Sequence, residues 1–190
     1  MRIVAATGNA HKLQEFRSIL QGVEILSQSE AGFCGEVEET GATFAENARI
    51  KAQAVAQATG LAALADDSGL CVDALGGAPG VYSARYSGGG DRENRALLLK
   101  NLQGERNRAA HFACAVALVL PDGKTIGSTG ETYGIILNEE RGQNGFGYDC
   151  LFLSDDLNKT FAEASEEEKN AVSHRGRALL SLKEKLGEWL

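Results

Sequence analysis

Phe112-Ala113-Cys114-Ala115-Val116-Ala117-Leu118-Val119-Leu120 is followed by Pro121-Asp122-Gly123-Lys124 and then by a second β-type run from Thr125 to Leu137. Asp-Gly between two such runs marks a hairpin, because glycine supplies the left-handed backbone that a tight reversal needs. The middle of the chain is therefore antiparallel. Toward the N-terminus the order changes. Ile3 to Thr7 reads as a short buried strand, Gly8-Asn9 as a turn, and Leu13, Phe16, Ile19 and Leu20 as the apolar stripe of a helix. Val23 to Leu26 gives a second short strand, and Gly32 to Gly41 an irregular acidic loop holding Glu36, Glu38 and Glu39. Thr43-Phe44-Ala45-Glu46 has the form of a capping box and opens an alanine-rich helix that runs to about Thr59 and stops at Gly60.

Leu61 to Ala65 is an apolar strand that delivers Asp66-Asp67-Ser68-Gly69 at a strand-to-turn junction, with Leu70 to Leu75 extended beyond it. Asp91 is a candidate cap for a helix ending near Leu102. On the C-terminal side of the hairpin, another short strand follows Gly142 to Asp149, and Ser165-Glu166-Glu167-Glu168 starts a helix by the same capping logic. A last helix from about Arg175 sets Leu179, Leu182, Leu186 and Trp189 on one core-facing stripe. βαβ segments combined with a central hairpin give an α/β class with a mixed sheet, and the hairpin strands suit a second lobe. A cleft between two lobes is the expected ligand site.

Composition narrows the functional classes. A chain of 190 residues with 43% hydrophobic content can bury a core without staples, and residues 1–190 read as a single domain of two lobes. Cys34, Cys71, Cys114 and Cys150 are widely spaced, with no C-x-x-C pair, so reduced thiols are expected. The opening Met1-Arg2-Ile3-Val4-Ala5-Ala6-Thr7-Gly8 is too short an apolar run for a signal peptide, and no stretch reaches the length of a membrane span. A cytoplasmic location with no membrane partner is the expectation. The net charge of −7 argues against a nucleic-acid surface, which needs a basic stripe. It leaves room for a small phosphorylated substrate, since a few cations and a metal ion can reverse the field locally.

Four clusters carry candidate chemistry. Thr7-Gly8-Asn9-Ala10-His11-Lys12 joins a strand to a helix whose first turn offers N–H groups to an anion, with Lys12 adding a point charge; the same residues also read as a plain turn capped by Asn9. Asp66 and Asp67 are costly at the end of an apolar strand unless paired, bonded or bound to metal. Because successive strand residues point to opposite faces, only one of them can face the cleft. Glu38 and Glu39 form a second acidic pair. Gly145-Phe146-Gly147-Tyr148-Asp149 sets an aromatic ring between glycines, as base stacking requires or as plain packing would, and Lys169 with Ser173-His174-Arg175-Gly176 gathers donors near a helix start, a site or a patch of surface charge.

Together these blocks resemble one family, the inosine/xanthosine triphosphate pyrophosphatases, which remove deaminated purine nucleotides. The resemblance spans nearly the whole chain. It rests on Thr7-Gly8-Asn9 with Lys12, Glu38-Glu39-Thr40-Gly41, Phe44, Glu46-Asn47-Ala48 and Lys51-Ala52, Ala65 to Leu70, and Gly76 to Gly80 with Ser83 to Tyr86. Gly145 to Asp149, Glu168-Lys169 and Ser173 to Gly176 complete it. It implies an elongated mixed β-sheet with flanking helices, and two lobes around a central nucleotide-binding cleft. It further implies hydrolysis of ITP, dITP and XTP to the monophosphate and pyrophosphate, with Mg²⁺, in a homodimer. By residue, it implies a substrate loop at Thr7, Gly8, Asn9, Ala10, His11 and Lys12, with Lys12 and Asp67 catalytic. Asp67 also binds metal, helped by Glu38 or Glu39. Ser68 contacts substrate, Phe146, Gly147, Tyr148 and Asp149 bind the nucleotide, and Lys169, His174 and Arg175 read the base. In one departure, Cys150 stands where the family usually has proline after the aromatic run, and Gln143-Asn144 replaces a more glycine-rich approach. Proline would stiffen that loop, so tuned affinity is expected rather than lost activity.

Overall fold

A computed structural model describes residues 2–187. Its six strands are β1 (Arg2–Ala5), β2 (Glu24–Ser27), β3 (Ala62–Val72), β4 (Ala109–Val119), β5 (Thr125–Ile136) and β6 (Phe152–Ser154). They form one mixed sheet in the order β2-β1-β3-β4-β5-β6. β1 runs parallel to β2 and to β3, and β6 pairs antiparallel with β5. The expected hairpin joins β4 to β5, with Leu120 and Lys124 bonded across a turn in which Gly123 has φ 87°. The helices are α1 (Ala10–Ile19), α2 (Phe44–Thr59), α3 (Asp91–Asn101), α4 (Glu166–Val172) and α5 (His174–Gly187).

The chain forms two compact units, the first built from Met1–Asp67, Cys114–Gly130 and Arg175–Leu190, the second from Ser68–Ala113 and Glu131–His174. In the first unit, alternation along the strands sends side chains to two separate cores. Ile3, Leu64, Val116 and Leu118 pack with Phe16 of α1, Leu20 at its C-cap, and Leu179 and Leu182 of α5. Their neighbours Val4, Ala63, Ala65, Ala117 and Val119 pack instead with Ala48, Ala52, Val55 and Ala56 of α2. Each large side chain buried this way contributes about 1.5–3 kcal/mol. α2 begins and ends as its sequence dictates: Thr43 and Glu46 form the capping box and Gly60 closes the helix in the left-handed region.

The core of the second unit gathers Leu70, Val72, Leu98, Phe112, Ile136, Phe152 and Phe161. Phe152 meets Phe112 edge-on at 4.8 Å between centroids, and His174 stacks on Phe112 at 4.7 Å.

Two local expectations are corrected. β3 runs unbroken through the acids to Val72, so Asp66 and Asp67 lie inside a strand rather than at its end. The strand persists because both carboxylates find partners, as described below. Asp91 is the first residue of α3 rather than its cap; the cap position is Gly90, whose N–H reaches Glu93 at 3.1 Å. Trp189 of the expected C-terminal stripe lies outside the described residues; Leu179, Leu182 and Leu186 are buried as anticipated.

Candidate functional site

Each unit brings some of the expected site residues into contact with polar partners. In the first, Asn9 caps α1, its Oδ1 accepting from the N–H groups of His11 at 2.9 Å and Lys12 at 3.3 Å, while its own N–H donates to Thr7 Oγ1 at 3.1 Å. The turn is thereby fixed, with Gly8, Ala10 and His11 exposed and Thr7, Asn9 and Lys12 half-buried. Lys12 points its ammonium at Asp66, 3.0 Å away, rather than at Asp67.

Asp66 is buried on the face of β3 that it shares with Leu64. There Arg175 donates to it from Nε at 3.0 Å and Nη2 at 2.9 Å, while Arg175 Nη1 bonds Glu15 on α1. Burial alone would push the Asp66 carboxyl up; Arg175 and then Lys12 outweigh it and hold the group far below the ordinary carboxylate range. Burial likewise works against the Arg175 charge, and Asp66 and Glu15 overcome it. The Cys114 thiol, 3.9 Å from Asp66, is pushed well up by burial and by that carboxylate, so it is inert.

Asp67 faces the other way, onto the α2 side. Asn47 Nδ2 donates to its Oδ2 at 3.0 Å, and Lys51, one helical turn further along α2, lies 3.8 Å from Oδ1. Lys51 also binds Glu39 at 2.6 Å, so a single ammonium serves Asp67 and the acidic loop. Burial raises the Asp67 pKa above its ordinary value; Lys51 and the Asn47 bond act against that, and Glu39 adds to it. Asp66 is thus a fixed anion, whereas Asp67 is a carboxylate that holds a proton more readily than usual. Glu38 is exposed, and of the acidic pair it is Glu39 that joins the Asp67 group.

In the second unit, Ser68 continues β3, half-buried. The loop from Phe146 to Asp149 is held at every residue. Asp149 Oδ2 accepts from Phe146 N–H at 3.0 Å and from Lys169 at 2.8 Å. Gly147 is gripped at both ends of its backbone, its N–H donating to Asp91 at 2.8 Å and its carbonyl accepting from Arg95 at 3.0 Å. Tyr148 donates its hydroxyl to the Ser83 carbonyl at 2.8 Å. Gly145, with φ 74°, has no space for a Cβ beside the Asp149 carboxylate. Lys169 also lies 4.8 Å from the centre of the Phe146 ring. A cavity of about 320 Å³ opens here, lined by Arg95, Glu140, Asn144, Phe146, Asp149 and Cys150. The Cys150 thiol is pushed up to about 11, chiefly by burial, and stays protonated at neutral pH.

The sequence-based site therefore falls into two groups. Thr7 to Lys12, Glu39 and Asp67 belong to the first unit; Ser68, Phe146 to Asp149, Lys169 and His174 belong to the second. Arg175, expected beside His174 among the base readers, bonds Asp66 and Glu15. Glu15 and Arg95 were not singled out from sequence, Asp91 was read only as a helix cap, and Asn47 and Lys51 were noted without a role. Asn47 and Lys51 did carry a signal, being polar residues four apart on the same alanine-rich helix. Among the described residues, no three His, Cys, Asp or Glu side chains converge as a ready-made metal cage. Nor is any described helix long and apolar enough to cross a membrane.

Residues 3–185 match the model of the Ham1 family. The chain is 52% identical over 192 residues to the dITP/XTP pyrophosphatase of Geobacter sulfurreducens, covering 98% of this chain and 96% of that protein. It is 50% identical over 189 residues to the dITP/XTP pyrophosphatase of Streptomyces avermitilis, covering 95% and 94%. Among solved structures, the Ham1 protein of Staphylococcus aureus superposes with a TM-score of 0.90 at 40% identity over the full length of both chains. Fold and sequence agree, and the chain belongs to the Ham1 family.

Proposed function

We propose that this protein hydrolyses deaminated purine nucleoside triphosphates, ITP, dITP and XTP, to the monophosphate and pyrophosphate. The observation that carries the reading is identity of about half the residues, along nearly the full length, to relatives named dITP/XTP pyrophosphatase. The polar clusters divide the work in a way that suits it.

Phosphate chemistry falls to the first cluster. Attack by water on the α-phosphate needs an acceptor for its proton and cations to offset charge gathering on the leaving pyrophosphate. Asp67, with its raised proton affinity, is the acceptor or metal ligand, and Lys12 and Lys51 are the cations. Mg²⁺ binds through one or two carboxylates plus substrate phosphates rather than in an all-protein cage. Asp67 and Glu39, already sharing Lys51, are the two carboxylates that would hold it. When bound, the ion supplies positive charge against the phosphate oxygens.

Base reading falls to the second cluster. Hypoxanthine and xanthine present an acceptor oxygen at C6, where adenine presents an amino donor. Lys169 and His174 are donors, with the Phe146 ring beside Lys169 as a stacking surface. Adenine would leave those donors unmatched, a penalty that reaches roughly 10⁴-fold in sites built on such bonds. Arg175, the third donor of that group, is bonded to Asp66 and Glu15 through three of its five N–H groups. Following the resemblance, the working form is a cytoplasmic homodimer.

The test is a substrate panel with Mg²⁺, comparing ITP, dITP, XTP, ATP, GTP and pyrimidine triphosphates, scored for pyrophosphate against orthophosphate. Pyrophosphate from the first three, well above the rest, is the expected result. Nucleotide binding without cleavage, or preference for a pyrimidine, would overturn it.

A further inference from the structure

The side chain of Asn47 is wholly buried, with 0% exposure, and it is spent on two partners of opposite kind. Its Nδ2 donates to Asp67 Oδ2 at 3.0 Å, and its Oδ1 accepts from the Gly41 N–H at 2.8 Å. A backbone N–H cannot accept and a carboxylate cannot donate, so only one orientation of the amide satisfies both. Asn47 is therefore locked in rotation, and with it the Asp67 oxygen that it holds.

The second partner sits on the acidic loop. Ala42 and Thr43 donate their N–H groups to Glu46 at 2.7 and 3.1 Å, so three successive backbone donors leaving that loop are tied to the first turn of α2. Gly41 leaves no room for anything larger: a Cβ there would stand 2.6 Å from Glu46 Cβ and 2.7 Å from Asn47 Oδ1. The glycine is what permits this close approach. Glu39, two residues upstream, meets Lys51, which sits on α2 one turn beyond Asn47.

We propose that Asn47 is a positioning residue, which sets the Asp67 carboxylate and registers the Glu39 loop against it through one buried amide. The proposal rests on the catalytic reading of Asp67. Its bonds place it to act through Asp67, and Gly41 to act through Asn47. Loss of a residue that orients a reacting carboxylate typically costs about 10–100-fold in activity.

The experiment compares Asn47→Leu, Asn47→Ser and Gly41→Ala with Asp67→Asn, in pyrophosphate release from ITP and in thermal melting with EDTA. All three positioning variants should lower kcat by about 10–100-fold, while the KM for ITP stays within about threefold of wild type. A merely structural role would lower the melting temperature and leave kcat per folded molecule alone. In metal-free protein, Asn47→Leu should lower the melting temperature less in an Asp67→Ala background than in wild type, because the shared bond can be lost only once. Unchanged kcat in folded Asn47→Ser and Gly41→Ala overturns the proposal. If Asp67→Asn also turns over normally, the catalytic reading has failed; if Asp67→Asn is dead, the failure belongs to Asn47 alone.

Discussion

Asp66 and Asp67 are adjacent in one strand, yet the first is bound by Arg175 at 2.9 Å and the second by Asn47 at 3.0 Å, on opposite faces of the sheet. Strand alternation alone separates them. The consequence is two carboxylates in contrasting fields: one neutralised by Arg175 and Lys12 and fixed as an anion, the other buried with weaker compensation and its pKa raised. Carboxylates driven apart in this way take different roles, and the raised one suits proton or metal chemistry.

Asp67→Asn should therefore abolish most pyrophosphate release from ITP without unfolding the protein. An amide oxygen can still accept from Asn47, so the local bond survives while the charge is lost. Circular dichroism and a pyrophosphate assay on the same sample check both halves. Near wild-type release would remove Asp67 from catalysis.

The raised pKa of Asp67 has a definite sign in stability. Its folded pKa lies above the unfolded value of 3.8, so the folded state binds that proton more tightly. Its contribution is fully present below pH 3.8 and lost as pH rises through the folded value. Asp67→Asn, which cannot ionise, should gain stability relative to wild type between pH 3 and pH 7, read as the difference in urea midpoints at several pH values. Asp66 has the reverse dependence, stabilising above pH 3.8 and losing that contribution as the solution becomes more acidic. A midpoint difference that shrinks with rising pH would contradict the environment assigned to Asp67.

Much of this was legible in the sequence because the deciding signals were local. Gly60 and the Thr43–Glu46 capping box bound α2, and Asp122-Gly123 places the hairpin, through backbone chemistry within a few residues. The extent of β3 was less legible, since two adjacent acids read as a strand end until their partners are known. Those partners lie far off in sequence: Arg175 is 109 residues from Asp66, and Asn47 is 20 from Asp67. Arg175 shows the limit most clearly. It follows His174 directly, and spacing alone groups the pair, but α5 begins between a ring stacked on Phe112 and a guanidinium directed at Asp66 and Glu15.

Arg175 is 1% exposed and compensates two buried acids, so its removal should be severe. Arg175→Met fills much of the same space but leaves Asp66 and Glu15 without their main cation. Breaking a buried pair on one side typically costs about 3–5 kcal/mol. The variant should melt far below wild type, and Asp66 should lose much of its preference for the charged form, so the loss should be smaller at pH 4 than at pH 7. Differential scanning fluorimetry across that range measures it, and a shift of only a degree or two at pH 7 would refute the network.

Lys169 offers the sharpest test of base reading, because it is held from two sides, by Asp149 at 2.8 Å and by the Phe146 ring at 4.8 Å. Lys169→Met removes the donor but keeps an unbranched apolar stem against the ring. Asp149 is then left with the Phe146 N–H at 3.0 Å as its remaining described partner in that loop, so the loop should loosen as well. The expected outcome is a KM for ITP raised by about tenfold or more and a narrower ratio of kcat/KM between ITP and ATP, with the larger loss on ITP. Asp149→Asn separates the two effects, because it weakens the grip on the ammonium while leaving Lys169 able to donate. If Lys169→Met lowers activity on ITP and ATP by the same factor, the lysine supports the loop without reading the base. Selectivity must then come from His174 or another donor in the second unit.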